Sequence, residues 1–454
     1  MLTNLNLMTK RLIVFLLFFN CAASFGQTIK TDVLVIGGSP SGVAAAIQSA
    51  RSKVKTMLVA EGNSLCPALS GTKMTFAAGD HNWPGGIWGE FRKHIVDHYR
   101  RLPGYDTAYN APLQFEDTTA VAILTKMADT VKSLTIQINT SFVKIVKDDD
   151  RWDVSLNYGG KKQEIKARVV IDDTPNGTVM ISAGGSWKLE NTFRLNYDNN
   201  LYRTSISMGD EKPDIKNGDG ADILTSYAYA YYFPLKALLA RNVENLLVAG
   251  IQYQEPDERY SERFLRADLA LGQGAGVTAA YCAFFKTTTT HLNVRMIQGE
   301  LLDFKGNLLP IHDKTPDPYW RAIQQVCATG LLKPIKRSGE LSTWIEFQPD
   351  SIVTTTEIKP VMLEIYTRAF IWFNKEKPGA QFTIGNLLSF ISDLTLTDPE
   401  NLQKSIGKAW TEQFHFTSSF DPDRPITRRE FAILANKYLN PFGRAVDLDG
   451  KVVN

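Results

Sequence analysis

Apolar residues in this chain fall into two patterns: short unbroken runs in the first 300 residues and helically spaced positions afterwards. The run Val33–Ile36 is rich in β-branched residues and apolar at every position, which predicts a strand buried on both faces of a parallel sheet. It leads into Gly37-Gly38-Ser39-Pro40-Ser41-Gly42, then into the alanine-rich stretch from Val43 to Ala50, a predicted helix. A second apolar run from Thr56 to Ala60 predicts another buried strand and stops at Glu61. Further strand-like runs lie at 136–146, 167–172 and 243–250, and a Gly/Ala-rich helix is predicted from about Leu269 to Ala280. Alternating strands and helices of this kind predict an α/β fold of the Rossmann-like type.

The first 26 residues follow another rule. Lys10 and Arg11 precede the apolar run from Leu12 to Phe19, and Ala22, Ala23, Ser24 and Gly26 follow. That is the charged, apolar, small-residue order of a secretory signal peptide, with cleavage expected after Gly26. The run is far shorter than the roughly 20 residues that span a bilayer. The protein is therefore expected to be exported, to the periplasm or the cell surface, with no transmembrane segment once the signal is removed. The expected divisions are 1–26 for the signal, 27–300 for the α/β domain and 301–454 for a helical C-terminal domain.

Composition narrows the partners. A formal charge of +2 over 454 residues gives no reason to expect nucleic acid or an anionic membrane. Cys66, Cys282 and Cys327 are scattered, with no C-x-x-C pair, so neither a redox dithiol nor a cysteine-built zinc site is expected. His94 and His98 have i, i+4 spacing but no third ligand, and no metal site is expected.

The strand–turn–helix–strand unit carries a specific chemistry. Gly37 permits the tight turn, Gly42 lets helix and strand approach, and the helix N-terminus offers unpaired N–H groups to a diphosphate. Glu61, 24 residues after Gly37, suits the hydroxyls of a ribose. Ser39 stands where the motif's middle glycine would be. Gly37, Gly38, Ser39, Pro40, Ser41, Gly42 and Glu61 are thus candidate nucleotide-binding residues.

From these residues onward the pattern resembles FAD-dependent oxidoreductases of the glutathione-reductase-like superfamily, and more narrowly an exported bacterial family labelled FAD-dependent oxidoreductase. The likeness covers about residues 30 to 285. Besides the first unit it rests on Leu113-Gln114-Phe115-Glu116, on the strand and turn from Ala167 to Met180, and on Phe233–Leu238, Val243–Gly250 and Leu269–Ala280. The stretch 167–180 looks like the family's strand ending in Asp-Ala-Thr, with Asp172-Asp173-Thr174 here. The resemblance implies FAD as cofactor, with adenine held near Val143 and further contacts from Asp172 and Gly250. It also implies a helix start at Gly272, Gln273, Gly274, Ala275 and Gly276 aimed at the isoalloxazine. Two departures bear on turnover: no histidine follows Phe115-Glu116, and Ser64 to Gly71 lacks the family's Gly-Gly cluster. No second G-x-G-x-x-G unit follows, so NAD(P)H is not indicated. Arg263 and Lys236 are candidates for an anionic substrate group or the reduced flavin, and His81, in a glycine-rich loop, for a base.

The last 150 residues repeat themselves. Phe347 to Glu357 matches Phe420 to Glu430 in Phe, Pro, Asp, Thr and Glu, 73 residues apart. Thr354/Glu357 and Thr427/Glu430 have capping-box spacing. The units resemble S-layer homology modules over about 305 to 445, with a weaker middle copy near Phe382-Thr383-Ile384. That family binds cell-wall polymer, while repeated capped helices can equally buttress a neighbouring domain. The expected fold is thus a Rossmann-like FAD-binding domain with an inserted β-rich substrate portion, followed by a mostly helical repeat domain. The expected function is an exported FAD-dependent oxidoreductase taking hydride from a small organic or sugar-derived substrate. The alternative is a cell-wall-binding surface protein with a vestigial FAD fold.

Overall fold

The computed structural model describes residues 28–69, 73–76, 85–107, 113–186, 199–211, 229–250, 262–311, 313, 317–338 and 343–453. The apolar run near the start forms β1 (Ile29–Ile36), followed by α1 (Pro40–Arg51) and β2 (Thr56–Val59). Two short strands, β3 (Lys73–Phe76) and β4 (Leu113–Glu116), pair antiparallel, with α2 (Gly86–Tyr99) between them and α3 (Asp117–Asp129) after. Then come β5 (Leu134–Gln137), β6 (Thr140–Asp148), β7 (Arg151–Tyr158) and β8 (Lys161–Asp172).

The main sheet runs β5-β2-β1-β8-β7-β6. β1, β2, β5 and β8 pair in parallel, with Ile36 opposite Val59 on one side and Asp172 on the other. All three strand ends therefore finish at one edge, where ligands of open α/β sheets bind. β8 is long enough to do two jobs. Its first half carries the antiparallel meander β6–β7, and its last three residues take β11 (Leu246–Val248) in parallel on the same side.

The interior of the sheet is as dry as its sequence implies. Val33, Leu34, Val35, Leu58 and Val59 are fully buried. On one face α1 packs against α5 (Glu262–Phe285). Gly272 and Gly276 make that contact possible. A Cβ on Gly272 would stand 2.1 Å from the Ser41 carbonyl oxygen, and one on Gly276 2.5 Å from that of Ala45. Gly274 faces the other way, toward Ile206, where a Cβ would meet a side-chain carbon at 2.7 Å. The helix expected to begin at Gly272 thus begins ten residues earlier, and its glycines are mid-helix packing positions.

A two-stranded unit, β9 (Ser205–Glu211) with β10 (Tyr229–Pro234), lies between this layer and the helical region. α6 (Val294–Asp303) and α7 (Trp320–Thr329) lead into β12 (Ile335–Ser338) and β13 (Thr343–Glu346), then α8 (Thr355–Ile365), α9 (Ala369–Glu376), α10 (Ile384–Thr395), α11 (Pro399–Glu412) and α12 (Arg428–Leu434). One apolar core continues from Val33 through Val446 across both regions. The three threonine turns bridge one another in a ring: Ile352 with Thr427, Thr354 with Gln381, and Thr383 with Pro425.

Candidate functional site

A cleft of about 500 Å³ opens at the carboxyl ends of the parallel strands, where Gly37, Gly38 and Ser39 follow β1. Glu61, exposed just past β2, marks one end, and Gly250 and Asp268 mark the other. The turn is built as its glycines require. Gly37 holds φ +124°, and a Cβ there would stand 2.2 Å from the Asp173 carbonyl oxygen. A Cβ on Gly38 would meet that of Ala60 at 2.8 Å. Gly250 holds φ +97°. Three backbone segments can therefore converge here only because these positions carry no side chain.

Ser39 is the N-cap of α1, and Pro40 supplies the first helical residue. The Ser39 hydroxyl oxygen accepts from the N–H groups of Ser41 at 3.2 Å and Gly42 at 3.4 Å. Ser41 is fully buried, and its own hydroxyl has no hydrogen-bond partner among the described residues. The donor set fits a dinucleotide: an acid at the ribose end, a glycine turn at a helix start in the middle, and a positive-φ glycine beyond.

Asp172 does not line this cleft. Its carboxylate accepts from the N–H of Thr174 at 2.9 Å, the hydroxyl of Thr174 at 2.6 Å and the N–H of Met180 at 2.8 Å. It ties the turn into α4 (Thr178–Ser182). The cleft acid is Asp173 beside it. Asp173 accepts from the Ser39 N–H at 3.0 Å and the Ser39 hydroxyl at 2.8 Å. Burial pushes its carboxyl well above the usual range, the Ser39 hydrogen bonds oppose this, and Asp268 and Asp172 add to it. Cys66, fully buried, is pushed up by burial and then by Asp173 and Asp268.

Other expected residues fall elsewhere. Val143 is 55% exposed on β6, and the cleft wall there is formed by Thr140 and Phe142. Gln273 is buried between elements: its Nε2 donates to Gln48 at 3.0 Å, and its Oε1 accepts from the Ile87 N–H at 3.2 Å. With Gly272, Gly274, Ala275 and Gly276 it belongs to the packing of α5 and does not reach the cleft. The part of α5 that does is Asp268, one turn earlier. Lys236 lies 3.2 Å from Asp449 of the C-terminal segment, away from the cleft. Arg263 lies in the first turn of α5, but its side chain falls outside the described residues, as does all of His81.

Sequence reasoning passed over Asp173, Asp268, Thr140 and Phe142. Asp173 had one signal, an acid in the place of the alanine of the Asp-Ala-Thr pattern.

The sequence matches the family described as FAD dependent oxidoreductase over residues 32–201 and 193–301, more than half of the chain. No curated protein matches it. Among similar solved structures is the flavin-dependent monooxygenase PieE in complex with FAD and substrate, 14% identical, covering 35% of this chain and 33% of that one, with a TM-score of 0.28. Another is the bacillithiol disulfide reductase Bdr of Bacillus cereus, 18% identical, covering 36% and 43%, with a TM-score of 0.24. A third is the OxyS anhydrotetracycline hydroxylase of Streptomyces rimosus, 14% identical, covering 67% and 73%, with a TM-score of 0.36. The match takes in 33% of the first of these chains and 43% of the second.

Proposed function

Because the chain belongs to the FAD-dependent oxidoreductase family, we propose that it removes a hydride from a small organic or sugar-derived substrate and passes the two electrons to FAD. The observation that carries this reading is the cleft joining Glu61, the Gly37–Ser39 turn and Gly250 at the sheet's carboxyl edge. Glu61 would bind the ribose hydroxyls. The turn and the start of α1 would hold the diphosphate, and Thr140 and Phe142 would flank the adenine. Bound FAD supplies the hydride-accepting chemistry, and the chain supplies position and charge. Arg263 remains the candidate for an anionic substrate group and His81 for the base that takes the substrate proton. Lys236, paired with Asp449, is set aside.

The visible spectrum of the purified full chain tests the first step. A flavin band bleached by dithionite supports it, and a colourless protein that takes up no added FAD rejects it. Anaerobic bleaching by alcohols, amines or sugars then reports the substrate class.

Export rests on the N-terminal residue order alone. Cleavage after Gly26 would leave Gln27 first in the secreted protein, which N-terminal sequencing reads. For the C-terminal region the contacts favour the buttress. Arg203 of the first region makes two 2.6 Å hydrogen bonds to Glu364, and Arg295 donates to the Arg444 carbonyl. Arg428, in the repeated turn, is only 2% exposed and is spent on Phe347, Lys333 and Glu357.

A further inference from the structure

The start of α1 has few donors to give. Between residues 39 and 42 only three N–H groups exist, because Pro40 has none. The structure uses all three internally. Those of Ser41 and Gly42 point to the Ser39 hydroxyl oxygen, and that of Ser39 points to Asp173. The Ser39 hydroxyl in turn donates to the same carboxylate. The helix start and its cap thus converge on one acid. That acid is wedged in place: Oδ2 lies 2.2 Å from where a Gly42 Cβ would be, and Oδ1 lies 3.0 Å from the Cβ position of Gly250. It occupies the middle of the cleft, between the two ends a dinucleotide would bridge.

We infer that Asp173 is a built-in occupant of the diphosphate cradle, and that FAD enters only when the Asp173 carboxyl carries a proton. This rests on FAD lying in the cleft as proposed above. An ionised Asp173 would set a third negative charge against the diphosphate while holding the Ser39 N–H and hydroxyl. A protonated Asp173 carries no charge and can donate to a phosphate oxygen. Among the described residues the groups facing it, besides Ser39, are acids and a thiol: Asp268 on α5, Asp172 at the end of β8, Cys66, and Glu61 at the rim. Burial raises its pKa first, and the neighbouring acids raise it further.

The linkage has a definite sign. Below the pKa of the free protein's Asp173, FAD affinity is flat with pH. Above it, the competent fraction falls, and affinity falls tenfold for each pH unit. Asp268→Asn removes a neighbouring charge that raises that pKa, so the fall should begin at lower pH.

The test is titration of FAD into the full chain from about pH 5.5 to about pH 9, followed by flavin fluorescence and by calorimetry in buffers of different ionisation enthalpy. The wild type should lose affinity with rising pH and take up a proton on binding in the falling range. Asp173→Asn should keep the folded circular dichroism spectrum, bind FAD with no such slope and take up no proton. Asp173→Ala, which removes the carboxyl altogether, is the second variant and should behave alike. A wild-type affinity flat across the range, or a slope retained in both variants, overturns the inference and leaves the cofactor placement standing. FAD binding absent in all three proteins at every pH overturns the placement and this inference together.

Discussion

The starts of α1 and α12 each lie beside a buried acid, and these two acids are treated in opposite ways. At α12 the acid is Glu430, 3% exposed, and at α1 it is Asp173, 5% exposed. Glu430 accepts from the Thr427 N–H at 2.9 Å, from Ser418 at 2.5 Å and from Arg424 at 2.9 Å. Burial alone would raise its pKa, but Arg424, Ser418 and Thr427 outweigh burial and hold it below the usual range. Asp173 has, among the described residues, only the amide and hydroxyl of Ser39, and its pKa is raised. An acid with its own cation is a closed lock. An acid whose described neighbours are acids and one serine has a charge that can vary with pH and with whatever enters the cleft. The start of α12 is therefore held by a cation and hydroxyls of its own region, while the start of α1 is held by an acid that lines the cleft.

The largest expected effect comes from breaking the lock. Arg424→Met removes the cation and leaves Glu430 buried without charge compensation, which should cost about 3 kcal/mol of stability near neutral pH. The sign also turns. In the wild type, Glu430 contributes stability above the ordinary glutamate range, and that stability is lost as pH falls through its lowered pKa. In the variant, acidification should recover part of the loss by neutralising the stranded carboxyl. Denaturant midpoints at neutral and acid pH decide it. An equal loss at both would mean that Arg424 acts through packing over Trp410, whose ring its guanidinium covers at 5.9 Å.

The complementary change opens the other side of the comparison. Asp173 is raised in the folded protein, so the folded state binds a proton that the unfolded chain releases above the ordinary aspartate range. Stability should therefore decline with rising pH from that range up to the raised pKa, at about 1.4 kcal/mol for each unit of separation. Asp173→Asn should remove this decline and leave the protein more stable than wild type in neutral and mildly alkaline solution. A variant less stable than wild type at all pH values would show that the carboxylate is a needed anchor for Ser39.

How much of this could be read in advance follows the range of the interactions. The capping boxes span three residues, and Thr427/Glu430 was legible because both halves of the motif lie within one helical turn. The middle repeat, seen only as Phe382-Thr383-Ile384, is completed by Asn386, which closes a box with Thr383. The strand–turn–helix–strand unit was legible for the same reason, its strand from 33 to 36 being dry on both faces. The start of α5 was not. A glycine cluster can open a helix or admit a partner helix, and only Ser41 and Ala45, more than 200 residues away, decide for the second. Asp173 was harder still. It meets Ser39 across 134 residues, and nothing local separates its role from that of Asp172, which turns back onto Thr174 and Met180.

The smallest effect tests whether the repeats are equally closed. At α12 both halves of the box are made, the Thr427 oxygen accepting from the Glu430 N–H and the Glu430 carboxylate from the Thr427 N–H. At α8 only the first half is present. Thr354 accepts from the Glu357 N–H at 3.3 Å, but the Glu357 carboxylate has turned 2.5 Å from Arg428 of the other copy. Losing a threonine cap costs about 1 kcal/mol in general. Thr427→Ala should reach that figure, because the exchange between cap and third residue is mutual and Glu430 also anchors Arg424 and Ser418. Thr354→Ala should cost roughly half as much, since Glu357 is held by Arg428 whether or not the threonine hydroxyl is there. Paired urea denaturation curves resolve the difference. Equal costs would mean that the reciprocal bond adds nothing to this turn, and that the copies differ in sequence but not in strength.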